Sequence, residues 1–158
     1  MVRKPGPPED VLEAGRRYAA TVRTERGDFT IALDREAAPV TVNNFVALAR
    51  EGFYDGLTFH RVVPGFVIQG GDPAGTGSGG PGYRLPDETN PWRWNRGSVG
   101  MASSPAGVNG SQFFVVQGDA PHLASSGVYN HFGSVTEGMD VLDAIREGDR
   151  MTSIEVTA

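Results

Sequence analysis

The chain of 158 residues is long enough for one domain with its own core, and its 19 acidic and 14 basic side chains give a formal net charge of -5. This acidic balance argues against a protein that binds nucleic acid by neutralising phosphates, and the absence of cysteine excludes disulfides and thiolate metal sites. No segment has the length of a membrane span and the N-terminus has no signal-peptide pattern, so we expect a cytoplasmic protein without membrane partners.

The first predicted elements are a hairpin and an amphipathic helix, which follow a polar lead-in at residues 1–17. Alternating apolar and polar residues at Tyr18–Thr24 and Asp28–Asp34 flank a short ERG turn, as in two paired strands. In APVTVNNFVALAREG the apolar residues recur at helical spacing between Pro39 and Gly52, which are typical of a helix start and a helix end.

The second half of the chain is predicted to be mainly strand. Short apolar runs bounded by turn residues indicate strands at 57–62, 66–69, 97–102, 112–117 and 129–135, and SIEVT gives a last one. A second helix is expected after Thr136 as N-cap, with Met139, Leu142 and Ile145 as its apolar residues and Gly148 at its end. About eight short strands and two helices predict a mainly β fold, namely a closed eight-stranded antiparallel β-barrel capped by the two α-helices.

Several short motifs fit known sites poorly. GTGSGG at 75–80 matches the glycine pattern of a dinucleotide-binding loop but opens no helix, so we expect a surface loop. Trp92 and Trp94 of PWRWN could stack on single-stranded bases, but in an acidic chain we expect them to pack a long loop. The three histidines are widely spaced and lack a metal-binding pattern, so we predict neither a metal nor a cofactor.

The most informative stretch is FHRVVPGFVIQGG, in which Arg61 and Gln69 stand among apolar residues. Period-two geometry and the Pro-Gly turn can bring Phe66 and Gln69 to the same patch as Arg61. The strand SQFFVVQ can add Phe113 or Phe114. A phenylalanine is most often a core residue, whereas an arginine inside an apolar strand needs a reason.

One reaction fits an apolar pocket with a fixed donor and no nucleophile, and that is rotation about an Xaa-Pro peptide bond. Amide resonance sets a barrier of about 18–20 kcal/mol, and in the twisted state the prolyl nitrogen regains its lone pair. A guanidinium can donate a hydrogen bond to that nitrogen, phenylalanines can hold the proline ring, and Gln69 can steady a peptide carbonyl. No bond has to be made or broken.

Three stretches resemble the cyclophilin family of peptidyl-prolyl isomerases: FHRVVPGFVIQGGDP, GSVGMASSPAGVNGSQFFVV and HFGSVTEGMDVLDAI. The resemblance runs from about Tyr18 to Val156 and implies the capped barrel with a peptide groove on one outer face. It implies Arg61 as the catalytic arginine, with Phe66 and Gln69 beside it. The substrate-binding residues that it implies are Val67, Ala102, Ser103, Gln112, Phe114, His122, Leu123 and Tyr129.

The chain departs from the family pattern beside Leu123. His122 stands where many eukaryotic members carry tryptophan, and Tyr129 stands where they often carry histidine. The link ASSGVYNHF is longer than usual by about two residues. We therefore expect only weak binding of cyclosporin-type cyclic peptides.

Two other functions stay open beside isomerisation. A non-catalytic module or chaperone that binds proline peptides would keep the groove and lose the arginine, and Arg61 is present. An acid/base or hydrolytic enzyme would need a paired histidine and carboxylate or an activated serine, for which the sequence offers no convincing arrangement. The preferred prediction is a monomeric isomerase domain at 18–158 that acts on proline-containing peptides and on unfolded or folding proteins, and so assists protein folding.

Overall fold

The computed structural model describes residues 8–158, which form one antiparallel sheet with short helices around it. Strands β1 (Tyr18–Thr24) and β2 (Gly27–Leu33) form the predicted hairpin. The later strands are β3 (Arg61–Val63), β4 (Val67–Gly70), β5 (Arg84–Leu85), β6 (Ser98–Ser104), β7 (Gly107–Val116), β8 (Asn130–Glu137) and β9 (Met151–Thr157). The helices of the described part are α1 (Pro39–Arg50), α2 (Leu123–Ser126) and α3 (Met139–Ala144). None of these helices has the length and apolar composition needed to cross a membrane.

The sheet is curled but its ladder does not close. Its path runs β3-β4-β7-β6-β8-β2-β1-β9, and β5 pairs with β7 off this path. Within residues 8–158 the end strands β3 and β9 are not paired with each other; segments 56–59 and 148–151 are joined instead by backbone hydrogen bonds and an isolated Thr58–Arg150 bridge. The predicted closed barrel is therefore wrong. The physical reason is that the start of β9 and the residues before it bond to segment 56–59, which precedes β3, so β3 itself has no partner on that side among the described residues.

Helix α1 starts where the sequence predicts, whereas the second predicted helix starts later than expected, as α3. Pro39 is the first residue of α1, where its missing N–H costs no hydrogen bond, and the Glu88 carboxylate accepts the next two helical N–H groups at 2.9 and 2.7 Å. Thr136, the expected N-cap of the second helix, lies inside β8, because the ladder with β2 continues to Glu137. Helix α3 follows Gly138, whose φ of 89° lies in the left-handed region that favours glycine.

Two apolar clusters lie on opposite faces of β7. Phe113 belongs to the main core. There the ring centroid of Phe45 from α1 lies 5.4 Å from the ring centroid of Phe113 and 5.2 Å from the ring centroid of Phe132. Phe114, the next residue, points to the other face. There it joins a second cluster with Val67, Trp94, Val116, Ala120 and Leu123. This second cluster supports the candidate site.

The described part of the lead-in is bonded to the rest of the protein. Asn43 of α1 accepts a hydrogen bond from the Val11 N–H at 2.7 Å and donates one to the Glu9 carbonyl at 3.0 Å. Arg35 donates to the Glu13 carbonyl at 2.6 Å. The domain boundary at residue 18 stays a prediction, and residues 1–7 of the lead-in lie outside the described part.

Candidate active site

All but one of the predicted site residues meet in one recess, which we call the proline pocket after the role that the sequence predicts for it. It has a volume of about 210 Å³. Its lining comprises Arg61, Phe66, Val67, Gln69, Ala102, Ser103, Phe114, His122, Leu123, Ser126 and Tyr129. Gln112 is the one predicted residue outside it, and it lines an adjoining recess that shares Gln69, Ala102 and Ser103. Ser126 was missed, because a serine on a helix of four residues follows no recognisable pattern.

Strand register places the central side chains beside one another. Arg61 on β3 lies opposite Gln69 on β4, and Gln69 lies opposite Phe114 on β7. Residues directly opposite each other in an antiparallel pair project from the same face of the sheet. The guanidinium, the amide and the ring therefore form a row across three strands.

The Arg61 guanidinium stands at the edge of the pocket with its donors free. The residue is exposed, and in the described part of the chain its side chain forms no hydrogen bond and no ion pair. A guanidinium has five N–H donors in a fixed planar fork and stays charged at any pH at which proteins fold. Arg61 can therefore present a positively charged donor to whatever enters the pocket.

Gln69 is held by a chain of amides. Its Nε2 donates to Gln112 Oε1 at 3.0 Å, and Gln112 Nε2 donates in turn to the carbonyls of Gly77 and Gly79 at 3.0 and 2.8 Å. The glycine-rich stretch thus has the role of fixing Gln112, not of cradling a phosphate. A second N–H on Gln69 Nε2 is left for a ligand.

Rings form the floor and one wall of the pocket. Phe114 lies 5.4 Å from Trp94 and 5.6 Å edge-on from Tyr129, measured between ring centroids. Phe66 and His122 stack at 5.2 Å on the other side. Aromatic contacts of this kind fix ring orientation and bury apolar area. The floor is therefore an apolar surface with fixed ring orientations.

Trp94 supports this floor from behind. It is buried, as a packing role predicts, whereas Trp92 is 54% exposed. The Trp94 ring is also 4.7 Å from that of His131, and burial lowers the pKa of His131. A Cβ on Gly100 would lie 2.5 Å from Trp94 Cη2 and 2.9 Å from Phe114 Cζ. The bare backbone of Gly100 thus makes room for both rings.

The loop that follows β4 is organised by one buried carboxylate, Asp72. Its two oxygens accept backbone N–H groups from Ala74, Thr76, Gly77 and Gly79 at 2.6–3.2 Å. Burial acts to raise the pKa of Asp72, but these four donors outweigh it, and the pKa lies below its usual value. Since Gly77 and Gly79 also hold Gln112, Asp72 indirectly orients the amides of the site.

Asp72→Asn is expected to lower the free energy of unfolding at pH 7 by about 1–3 kcal/mol, because an amide supplies one acceptor oxygen instead of two and leaves buried N–H groups unpaired. The folded pKa of Asp72 is depressed, so its stabilising effect is present above the unfolded pKa of about 3.9 and is lost as the pH falls through the folded value. Urea unfolding at about pH 7 and about pH 3 measures both proteins. The difference in free energy of unfolding between wild type and Asp72→Asn should be smaller at about pH 3 than at about pH 7. An equal difference at both pH values would contradict this role of Asp72.

No group of three or more His, Cys, Asp or Glu side chains within residues 8–158 is arranged to hold a metal ion. The side chains of the site supply an apolar floor, a guanidinium at its edge and a positioned amide. This set can bind and polarise a peptide without a nucleophile or a general base.

Comparison with known proteins agrees over most of the chain. The family model for cyclophilin type peptidyl-prolyl cis-trans isomerase/CLD matches residues 19–157. The peptidyl-prolyl cis-trans isomerase of Helicobacter pylori (strain ATCC 700392 / 26695) is 47% identical over 146 residues, which cover 90% of this chain and 88% of that protein. Peptidyl-prolyl cis-trans isomerase B of Bacillus subtilis (strain 168) is 53% identical over 123 residues, 77% of this chain and 85% of that protein.

Solved structures show the same fold. A cyclophilin type peptidyl-prolyl cis-trans isomerase of Cryptosporidium parvum aligns with a TM-score of 0.82 at 31% identity, over 90% of this chain and 99% of that one. Its structure in the presence of the dipeptide Ala-Pro aligns with a TM-score of 0.79 at 32% identity, over 89% and 99%. The resemblance inferred from three motifs is thereby confirmed, and the chain belongs to the cyclophilin family of peptidyl-prolyl cis-trans isomerases.

Proposed function

We propose that the proline pocket binds the proline ring of an extended peptide and that Arg61 accelerates rotation about the preceding peptide bond. The observation that carries this proposal is a guanidinium without a partner among the described residues, at the edge of a recess of about 210 Å³ that aromatic rings line. Phe66 and Phe114 hold the proline ring, and the wall residues Val67, Leu123, His122 and Tyr129 complete the enclosure.

The proposed step changes no covalent bond. As the peptide bond twists, its nitrogen loses amide resonance, becomes pyramidal and regains a lone pair. Arg61 donates a hydrogen bond to that lone pair, which exists only in the twisted state, so the interaction lowers the barrier without tightening ground-state binding. Gln69 donates its free N–H to a neighbouring peptide carbonyl and keeps the chain from turning with the proline. No proton moves between groups.

The edge of β6 offers a place for the rest of the peptide. Within the described residues β8 pairs with β6 only as far as Met101, opposite Asn130, whereas β6 continues to Ser104. The β8 side of Ala102–Ser104 can therefore pair with an extended chain, which is a common mode of peptide recognition. Ala102 and Ser103 also line the pocket, so a peptide paired there passes directly over it.

Several wider features belong to the same proposal. We take the clients to be unfolded or folding proteins with exposed Xaa-Pro bonds, and the protein to be a cytoplasmic monomer that assists folding. Its net charge of -5 supports a protein partner over nucleic acid.

A protease-coupled assay with a proline tetrapeptide tests the proposed function, and peptide binding is measured by calorimetry in parallel. We expect isomerisation well above the uncatalysed rate, which corresponds to roughly tens to hundreds of seconds. Binding without acceleration would support the non-catalytic peptide-binding module instead. If the peptide is neither bound nor isomerised, the proposal is overturned.

His122→Trp is expected to strengthen inhibition by cyclosporin by about tenfold from a weak starting level. His122 is exposed on the pocket wall, where an indole would add apolar cover and an N–H donor to a peptide carbonyl. His122→Phe is the matched control, since it adds a ring without the donor and separates the two contributions. Inhibition curves that coincide for wild type and His122→Trp would contradict this prediction.

A further inference from the structure

A second apolar recess adjoins the proline pocket, between the turn that joins β6 to β7 and the segment that follows α2. We call it the Val128 recess. Its volume is about 550 Å³. Leu85 and Val108 of the main core form its floor, and Pro105 and Val128 form its walls.

The two recesses adjoin each other. Both are lined by Ser103, Ser126 and Tyr129. The Tyr129 ring stands between them and is held edge-on by Phe114 at 5.6 Å and Trp94 at 6.1 Å. A peptide whose proline occupies the first recess therefore passes the mouth of the second within a few residues.

The exposure of the Val128 recess favours an apolar occupant. Val128 is 41% exposed and Pro105 is exposed as well, so water contacts apolar side chains that an incoming group would cover. Asp87 lines the rim, and hydrogen bonds from Thr89 hold the pKa of its carboxyl below the usual value. A negative rim of this kind repels an acidic side chain.

We propose that the Val128 recess is a specificity subsite that takes a bulky aliphatic or aromatic side chain of the same peptide, within about three residues of the bound proline. Three extended residues span roughly 10 Å, which bridges two adjoining recesses. The inference rests on the proposed function of the proline pocket and adds a selection among proline-containing clients. Peptides with an apolar residue at the matching position are preferred, and peptides with an acidic residue there are disfavoured.

A peptide scan tests the subsite. In a short Ala-Pro peptide, phenylalanine and then glutamate replace alanine at each of three positions before and after the Ala-Pro pair, and kcat/KM and Kd are measured for each peptide. Wild type should gain about tenfold from phenylalanine at one position, which is the effect expected from burying most of one ring. Glutamate at that position should give no gain or a loss.

Val128→Asp should abolish the phenylalanine gain and leave kcat/KM of the all-alanine peptide unchanged, because Val128 lines only the second recess. Val11→Asp is the matched control: Val11 is 36% exposed, close to the 41% of Val128, and lies outside both recesses. The Val11→Asp variant should keep the gain from phenylalanine in the peptide. Melting temperatures of both variants confirm that each is folded.

Separate outcomes overturn the subsite and the proposed function. A flat phenylalanine scan in an active enzyme, or a gain that survives Val128→Asp, overturns the subsite alone. If proline peptides are neither bound nor isomerised, the proposed function fails and the subsite fails with it.

Discussion

Arg61→Ala is expected to lower kcat/KM for Xaa-Pro peptides by on the order of 100-fold or more, which is the usual loss when one charge-stabilising donor is removed from an active site. The melting temperature should hardly change, because Arg61 is exposed and its side chain bonds to no described residue. A protease-coupled assay and a thermal melt on the same preparation measure both quantities. Arg17→Ala serves as the control, since Arg17 is also exposed and lines neither recess.

Arg61→Lys should be nearly as inactive as Arg61→Ala. An ammonium keeps the charge but lacks the planar fork and is more strongly hydrated, so it positions a donor poorly against the prolyl nitrogen at the pocket edge. In wild type, kcat/KM should also stay flat between about pH 6 and pH 9, because no group changes protonation in the proposed step. A bell-shaped profile, or near-normal activity in Arg61→Ala, would revive an acid/base mechanism.

Gly100→Ala is expected to lower kcat/KM at least about tenfold and the free energy of unfolding by about 1–3 kcal/mol. The added methyl group would lie 2.5 Å from Trp94 Cη2 and 2.9 Å from Phe114 Cζ, so one or both rings must move. Both belong to the cluster under the pocket, and a shifted Phe114 misplaces the proline ring. Kinetics and urea unfolding measure the two effects.

A second substitution tests whether the ring contact is the cause. Trp94→Phe removes part of the indole, so in the Gly100→Ala background it should restore both stability and kcat/KM. In the wild-type background the same substitution should lower both. A double-mutant cycle should therefore give a coupling energy of about 0.5–3 kcal/mol, the range for residues in contact. Additive effects would show that Gly100 acts independently of Trp94.

The grouping of side chains in the recess is more predictable than the surrounding structure, because most of these residues lie in short, continuous motifs. Arg61, Phe66 and Gln69 occur within one strand-turn-strand segment, whose period-two geometry places them on one patch. Whether Phe113 or Phe114 joins them was left open by the residues alone. Only the register with β4 settles it, since it puts Phe114 opposite Gln69 and leaves Phe113 in the core.

The features that sequence patterns missed depend on contacts between distant segments. Strand β5 and helix α2 have 2 and 4 residues, too few for any periodicity to register. The start of α3 is decided by the pairing of β8 with β2, which outweighs the capping preference of Thr136. The support that Trp94, in the loop before β6, gives to the pocket floor depends on the absence of a side chain at Gly100 within β6 and on Phe114 of β7, which no local pattern reveals.

The order of strands in the sheet also governs when the protein can fold. β1 lies between β2 and β9, with Ala19 opposite Thr157, so strands from the two ends of the sequence are neighbours. During synthesis β1 has its hairpin partner at once, but the other edge of β1 stays unpaired until residues 151–157 have left the ribosome. Such long-range pairing slows folding and leaves an intermediate with an open edge. This isomerase therefore completes the pairing of β1 only after β9 has been translated, and until then its nascent chain carries an open sheet edge.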